Sequence, residues 1–279
     1  MPDNFNISVV IPNYNRCNEL LRAVKSVLSQ TYPVLEVIIC DDGSTDNSKS
    51  QIAALNNPKL IWVDCGKTGG PAIPRNTGIK LSRGNWVAFL DNDDEWKPEK
   101  IEKQINALKR QKLGAVCSNA SQIRAGVDRG SYLDYRKEQV NLTDLMLRNC
   151  IICSTAMVNK QLLVDTSLFP EGKEFIAIED YALWLRLSTR TDFVFLNETL
   201  INYFDNFETS IRTKYSDSWL IFGIVFNDFK KWLTVNKVNL TKQQKKDLEL
   251  LFKKIKNKGV PSQWDEFLRK FKDKFGFNK

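Results

Sequence analysis

Four carboxylates fall within five consecutive residues, at Asp91, Asp93, Asp94 and Glu95. Carboxylates this close repel one another unless they are solvated, protonated or neutralised by a cation. Two carboxylates that flank one residue can bind a hard divalent ion and leave coordination positions for water and for substrate phosphates. The spacing therefore favours a Mn²⁺ or Mg²⁺ site at Asp91 and Asp93 that bridges a nucleotide diphosphate.

The chain of 279 residues contains no histidine, which excludes a Ser-His-Asp triad, a histidine general base and the usual histidine-containing zinc sites. Acid–base chemistry must then use carboxylates, Lys, Tyr or Cys. Cys150 and Cys153 form a lone CxxC pair, and a zinc site would need two further soft ligands. We expect the six thiols to stay reduced and to pack as small apolar groups.

The segments around these carboxylates alternate between two patterns up to about residue 120. Apolar runs over 7–11, 36–40, 60–63 and 86–90 predict buried strands, the first of them ended by Pro12. In the less regular second half, residues 115–117 and 151–158 also predict strands. Helical spacing predicts helices over about 20–28, 75–82 and 98–112. A strand–helix–strand unit of this length makes its two strands parallel, so the fold class is α/β with flanking helices.

Polar turns follow three of the four predicted strands: Pro12–Asn15, Asp41–Asp42 and Asp91–Asp94. Each has a simple structural alternative, since Asp-Asp-Gly-Ser is a turn sequence and Asp93-Asp94 can precede a helix. Ligands of open parallel sheets bind beyond the carboxyl ends of the strands. Three such turns at one edge therefore favour a binding cleft over independent turns.

Several motifs in order carry a family resemblance. Val9-Val-Ile-Pro-Asn-Tyr-Asn15, Ser29-Gln-Thr31, Asp41-Asp-Gly-Ser44, Pro74-Arg-Asn-Thr-Gly78 and Phe89-Leu-Asp-Asn-Asp-Asp-Glu-Trp96 resemble family 2 glycosyltransferases. The likeness is dense over residues 6–120, and Ile178-Glu-Asp-Tyr-Ala-Leu-Trp-Leu-Arg186 resembles the family's ED segment. The resemblance implies a GT-A fold with a mixed, mostly parallel sheet, and an inverting enzyme that uses nucleotide-diphosphate sugars.

The resemblance also implies roles for individual residues on the donor side. The loop from Pro12 to Tyr14 should border the nucleotide base, and Asp42 should accept a hydrogen bond from the uracil ring, which favours a UDP-sugar. Arg75 should border the donor site. Asp91 and Asp93 match the DXD motif, with Asp93 as the main metal ligand and Asp91 nearer the ribose or the metal.

Asp180 matches the family's catalytic base. Glu179, beside it, and Asp94 should support the residues that contact the substrates. A carboxylate is the natural base in a chain without histidine. Helix N-terminal capping is the alternative interpretation of Glu179-Asp180, because acidic residues favour that position. Some family members place a histidine on the metal after the ED segment, and this chain has none. The QxxRW motif of processive synthases is also absent, so we expect single-sugar addition.

The positive charge is concentrated at the end of the chain. Residues 212–279 hold 17 basic and 7 acidic side chains, against 24 and 26 in residues 1–211. We therefore divide the chain into a catalytic domain, 1–211 (a donor half, 1–120, and an acceptor half, 121–211), and a basic tail, 212–279. The tail shows amphipathic segments at about 216–235, 241–257 and 261–275, with Trp232, Trp264, Phe267 and Phe271 among the lysines.

Two interpretations of the tail stay open. In one, its helices pack on the catalytic domain with their lysines in solvent; in the other, they hold the enzyme on an anionic membrane surface. The resemblance implies a saccharide acceptor that is lipid-linked, as in O-antigen or capsule assembly. The first residues show no secretory signal, so we expect a cytoplasmic protein on the inner face of the cell membrane.

Two rival functions follow from other features. Lysines interleaved with aromatics would also suit a nucleic-acid-binding protein, but no nucleic-acid motif is present and the acidic loops would repel phosphates. A nucleotidyltransferase would show a Gly-rich basic loop after the first strand, where this chain has Pro12-Asn-Tyr-Asn-Arg16. A hexosyl or N-acetylhexosaminyl transferase without a nucleic-acid partner is the leading hypothesis.

Overall fold

The computed structural model describes residues 4–205 and 218–242, with 244–246 and 248. Its first half alternates strands and helices, as the sequence pattern predicts. The elements in order are β1 (Ile7–Asn13), α1 (Cys17–Leu28), β2 (Glu36–Asp41), α2 (Ser48–Ala54), β3 (Leu60–Asp64), α3 (Ala72–Leu81) and β4 (Trp86–Phe89).

The second half is less regular and adds antiparallel strands. Its elements are β5 (Glu95–Trp96), α4 (Lys100–Gln111), β6 (Ala115–Arg124), β7 (Val127–Ser131), β8 (Gln139–Val140), α5 (Leu142–Leu147), β9 (Met157–Asn159), α6 (Lys160–Asp165), α7 (Glu179–Leu187), β10 (Phe193–Phe204) and α8 (Ser218–Val235). Short 3-10 turns lie at Cys153–Thr155 and Lys173–Phe175.

The described strands form one mixed sheet in the order β3-β2-β1-β4-β9-β6-β10-β5, with β7 on β6 and β8 on β10. β1 runs parallel to both β2 and β4, and β2 runs parallel to β3. β9 is antiparallel to its neighbours β4 and β6. Chain order reverses at β1, where β2 lies on one side and β4 on the other, so a crevice opens at the carboxyl ends of these strands.

Alternate residues of the buried strands pack on opposite faces of this sheet. Val10 and Ile38 belong to one apolar cluster, while Val9, Ile11 and Ile39 belong to the other. Both faces are covered by helices, which is why these strands read as continuous apolar runs. The rigid double-sided core fixes the positions from which the strand-end loops project.

Two expectations at strand ends were wrong. Pro12 does not end β1, because the strand continues to Asn13 and pairs Pro12 with Cys40 of β2. Pairing with β4 stops at Val10, so the missing N–H of Pro12 leaves no ladder bond unmade on that side. Residues 151–158 are not one strand, since Thr155 and Ala156 bond back to Ile152 and Cys153 in a turn before β9.

Helix α8 packs on the core through α7. Val225, Phe226, Phe229 and Leu233 are buried in the same cluster as Trp184. The apolar side of α8 therefore packs on the catalytic domain, which is the first of the two interpretations of the tail.

Two contacts fix this helix. Arg186 Nη2 of α7 donates to Asp228 at 2.6 Å. Trp232, expected among the side chains that would face a membrane, is instead buried, and its Nε1 donates to Ser167 Oγ at 3.1 Å.

The other tail segments are described little or not at all. Residues 242, 244–246 and 248 are helical, whereas most of 241–257 and all of 261–275 lie outside the described residues. Within the described parts, no helix is long and apolar enough to cross a bilayer. Cys150 and Cys153 are buried free thiols, as expected.

Removing the Phe229 ring should destabilise the whole protein, because it is 1% exposed in the core cluster. We expect Phe229→Ala to lower the free energy of unfolding by about 3–5 kcal/mol, measured by urea denaturation. Val235→Ala on the same helix is the matched control, since Val235 is 77% exposed. Equal, small effects of the two substitutions would show that α8 does not belong to the core.

Candidate active site

A cleft of about 530 Å³ opens at the carboxyl ends of β1, β2 and β4. It lies at the point where chain order reverses in the sheet. The structure brings all eight residues singled out from the sequence to its walls: Pro12, Tyr14, Asp42, Arg75, Asp91, Asp93, Glu179 and Asp180. Residues separated by up to 168 positions thus share one cavity. The position of the strand ends predicts this for the residues after β1, β2 and β4, but not for Arg75, Glu179 and Asp180.

Arg75 is the buried cation of this cleft. Its guanidinium donates from Nη2 to Asp91 Oδ1 and from Nη1 to Glu179 Oε1, both at 2.5 Å. The Arg75 side chain is 4% exposed and that of Glu179 is 5% exposed. Burial alone would lower the pKa of Arg75, but the charges of Asp91 and Glu179 raise it well above its usual value. The guanidinium therefore stays charged and ties α3, the loop after β4 and the start of α7 together.

The aspartates after β4 occupy different environments. Desolvation and the charge of Asp91 raise the pKa of Asp93, although Arg16 Nη1 approaches its carboxylate at 3.8 Å. Burial and the charges of both neighbours raise the pKa of Asp94 well above its usual value. A cation beside Asp91 and Asp93 would relieve the repulsion between them.

Asp94 stabilises the loop after β4 through side-chain hydrogen bonds. Its carboxyl accepts from Ser154 Oγ at 2.5 Å and from the Phe204 backbone N–H at 3.1 Å. Ser154 Oγ in turn accepts from the Asp91 backbone N–H at 3.0 Å. The 3-10 turn and the end of β10 are therefore bonded to the same carboxylate loop.

Asp42 organises the other wall of the cleft. One carboxylate oxygen accepts from Thr68, and the other accepts from the Gly69 N–H at 3.0 Å. These bonds hold the loop between β3 and α3 against the end of β2. Pro12 and Tyr14 also line the cleft; Pro12 is buried, whereas Tyr14 is exposed.

Glu179 and Asp180 begin α7, and both side chains are largely buried at the cleft. Asp180 Oδ1 accepts from the Tyr181 N–H at 2.6 Å, and the N-cap residue Ile178 makes no side-chain cap bond. Glu179 Oε2 has no hydrogen-bond partner among the described residues. The bond from Arg75 to Glu179 is therefore a contact that helix capping does not explain, whereas the bond from the Tyr181 N–H to Asp180 is one that acidic residues make at helix starts.

Sequence reasoning included Asn13 in the loop that should border the base but gave it no contacts of its own, and it missed Arg22. Asn13 joins three loops, because its amide donates to Asp41 and Ser44 while its oxygen accepts from Asn92 at 2.8 Å. Arg22 of α1 donates to the Asp93 carbonyl at 2.5 Å. Asn13 sits in the first recognised motif and was open to prediction, whereas Arg22 gave no signal beyond its position on a polar helix face.

The donor set fits one kind of metal site. Asp91 and Asp93 offer hard oxygens, which Mg²⁺ and Mn²⁺ prefer. In the parts of the chain that the structure describes, no three His, Cys, Asp or Glu side chains are grouped to hold an ion. Two carboxylates suit a divalent ion that completes its coordination with water and substrate oxygens, and they do not suit a closed protein site.

Comparison with known proteins identifies the family. Residues 8–164 match the sequence family described as "Glycosyl transferase family 2". The Escherichia coli proteins WfgD and WfaP are 32% and 34% identical over 186 and 185 residues, in each case 66% of this chain and 70% of theirs. Both are named UDP-Glc:α-D-GlcNAc-diphosphoundecaprenol β-1,3-glucosyltransferases.

Solved structures confirm the fold. Staphylococcus aureus TarS, in complex with UDP-GlcNAc, superimposes with a TM-score of 0.71 at 22% identity, over 90% of this chain and 73% of that one. The TarS complex with UDP gives a TM-score of 0.68 over 89% of this chain and 70% of that one. The predicted GT-A-like α/β sheet is therefore present. From its motifs, fold and relatives, the chain belongs to glycosyl transferase family 2 and is a glycosyltransferase.

Proposed function

We propose that this protein transfers a hexose or N-acetylhexosamine from a UDP-sugar to a lipid-linked saccharide, in the assembly of a bacterial surface polysaccharide such as O-antigen, capsule or lipopolysaccharide. The observation that carries the proposal is the single cleft in which the Asp91–Asp93 loop faces Asp180. The names of WfgD and WfaP, which specify a UDP-Glc donor and a diphosphoundecaprenol-linked acceptor, support these substrate classes.

The reaction is a single displacement at the anomeric carbon. Asp180 takes the proton of an acceptor hydroxyl while that oxygen forms a bond to the carbon. The bond from the same carbon to the diphosphate oxygen breaks, and the electron pair leaves with the UDP. Attack from the face opposite the leaving group inverts the configuration.

The other groups of the cleft bind and orient the donor. Asp42 and the Pro12–Tyr14 loop flank the base, with Tyr14 against its plane, and Asp42 already has its orientation fixed by Thr68 and Gly69. Arg75 keeps Asp91 and Glu179 in place through two short hydrogen bonds. Rigid positioning of this kind removes much of the entropy barrier of a two-substrate reaction.

Asp93 and Asp91 would hold a Mn²⁺ or Mg²⁺ ion together with the donor's diphosphate. A divalent ion there stabilises the negative charge that develops on the departing UDP. The pKa of Asp93, raised by desolvation and by the charge of Asp91, supports a cation as its natural partner.

The basic tail would place the enzyme against an anionic leaflet, where a lipid-linked acceptor resides. With the apolar stripe of α8 used in the core, this role falls to the lysines and aromatics beyond residue 248. Lysines near such a surface contribute about 1 kcal/mol each.

Asp180→Asn removes the base while keeping the shape of the side chain. We expect kcat for transfer from UDP-glucose to fall by about 10²–10⁴-fold, with the affinity for UDP unchanged in calorimetric titration. Asp165→Asn is the control, because Asp165 is exposed on α6, away from the cleft. Transfer at the wild-type rate in Asp180→Asn would remove Asp180 from the mechanism.

Asp93→Asn should weaken the metal-dependent part of UDP binding. In calorimetric titrations with Mn²⁺ we expect at least a tenfold higher Kd for UDP than in the wild type, because one anionic ligand is lost. Without metal the two proteins should bind UDP alike. Equal affinities with Mn²⁺ would refute a metal at this position, whatever the transfer rate.

Neutralising four tail lysines should weaken membrane attachment. We expect the full chain carrying Lys→Gln at Lys253, Lys254, Lys256 and Lys258 to bind anionic vesicles at least tenfold less tightly in co-sedimentation. Neutral phosphatidylcholine vesicles should bind both proteins weakly. As a control, Lys→Gln at four exposed lysines of the catalytic domain, Lys25, Lys49, Lys80 and Lys112, should cause no comparable loss. Unchanged binding to anionic vesicles would contradict a role for these lysines.

A further inference from the structure

Tyr203 forms part of the cleft wall on the β10 side, and Tyr132 packs against it. Tyr203 lines the same cavity as Asp93 and Asp180. Its ring centroid is 4.9 Å from that of Tyr132, and the ring planes are inclined by 54°. Both side chains are half-buried, so part of each ring surface meets solvent. Tyr203 therefore presents an aromatic surface to the cleft that contains the proposed base, with Tyr132 packed at its side.

The sheet holds both tyrosines in place. Tyr203 is the penultimate residue of β10 and is paired with Gln122 of β6. The Tyr132 backbone N–H donates to the Ala120 carbonyl of β6 at 2.8 Å. Rings mounted on strands in this way are more precisely placed than rings on free loops.

Polar side chains flank the aromatic surface. Asp205 also lines the cleft, and its Oδ2 accepts from Gln122 Nε2 at 2.6 Å and from Arg124 Nη2 at 2.8 Å. Gln122 is the register partner of Tyr203, so this carboxylate, amide and guanidinium lie next to Tyr203 in the sheet. A pyranose needs this combination, because its C–H face packs on an aromatic ring while its hydroxyls require donors and acceptors at the rim.

The position of β10 in the sheet points to the acceptor rather than to the donor. Asp42 and Pro12, on the proposed nucleotide side, belong to β2 and β1 and their loops. In strand order β10 lies beyond β4, β9 and β6, on the opposite side of β1 from β2. Tyr203 therefore faces the cleft from the side away from the nucleotide, which is the side left for the molecule that brings the attacking hydroxyl.

We propose that Tyr203 and Tyr132 form a stacking platform for the acceptor saccharide, with Asp205 and its partners contacting the sugar hydroxyls. This inference rests on the proposed transfer reaction and assigns the residues that select its acceptor. The platform binds the sugar and takes no part in proton transfer.

The test uses UDP-glucose and α-D-GlcNAc-diphosphate bearing an undecyl chain. We expect Tyr203→Leu and Tyr132→Leu each to raise the acceptor KM at least tenfold, with the donor KM changed less than twofold. Tyr→Phe at either position keeps the ring and should restore most of the acceptor affinity. Tyr32→Leu is the matched control, because the Tyr32 hydroxyl bonds to the Phe5 carbonyl away from the cleft.

Direct calorimetric titration of the acceptor analogue separates this inference from the reaction itself. Binding to the wild type that is lost in Tyr203→Leu supports the platform even where no sugar is transferred, and then only the proposed reaction fails. An unchanged acceptor KM in both Leu variants overturns the platform, as does a parallel rise in donor KM. Absence of binding to the wild type also overturns it.

Discussion

The site depends on one buried guanidinium. Arg75 lies between Asp91 and Glu179, three residues from three elements that are distant in the chain. Removing either carboxylate would leave the buried guanidinium with one of its two partners, and removing the arginine would take from Asp91 and Glu179 the cation to which both bond. Such a bridge adds little net stability, but it allows only one relative placement of α3, the β4 loop and α7. These three elements form the walls of the cleft, so their placement determines its shape.

Other contacts extend the same constraint to the reacting groups. Asp180 follows Glu179 at the start of α7, and Asp93 is two residues from Asp91. The bonds from Arg75 to Glu179 and Asp91 therefore also position Asp180 and Asp93. Asp94 and Ser154 bond the β4 loop to the 3-10 turn and to the end of β10. The proposed base, metal ligands and acceptor platform are thus mounted on elements that pack into one core, which is the preorganisation that a two-substrate displacement requires.

Much of this was predictable where the signal is local. The strands β1, β2 and β4 appear as apolar runs, and polar turns at their ends predict a cleft; the order of motifs then predicts the family. Long-range pairing has no such signal. Nothing local indicates that Arg75 bonds to Glu179, 104 positions away, or that Asp42 holds Thr68. Residues 151–158 are apolar enough for a strand, yet their turn follows from contacts with Asp91 and Asp94. The amphipathic pattern of α8 is compatible with binding to a membrane or with packing in a core. The distinction comes from its contacts with α7, which the sequence of α8 does not reveal.

The configuration of the newly formed glycosidic bond bears on the whole account. A single displacement assisted by Asp180 must convert the α-linked sugar of the UDP donor into a β-linked product. Proton NMR of the product formed from UDP-glucose and the GlcNAc-diphosphate analogue reports this through the coupling constant of the anomeric proton. We expect the large coupling of a β-glucoside. The small coupling of an α-glucoside would contradict a single displacement in this cleft.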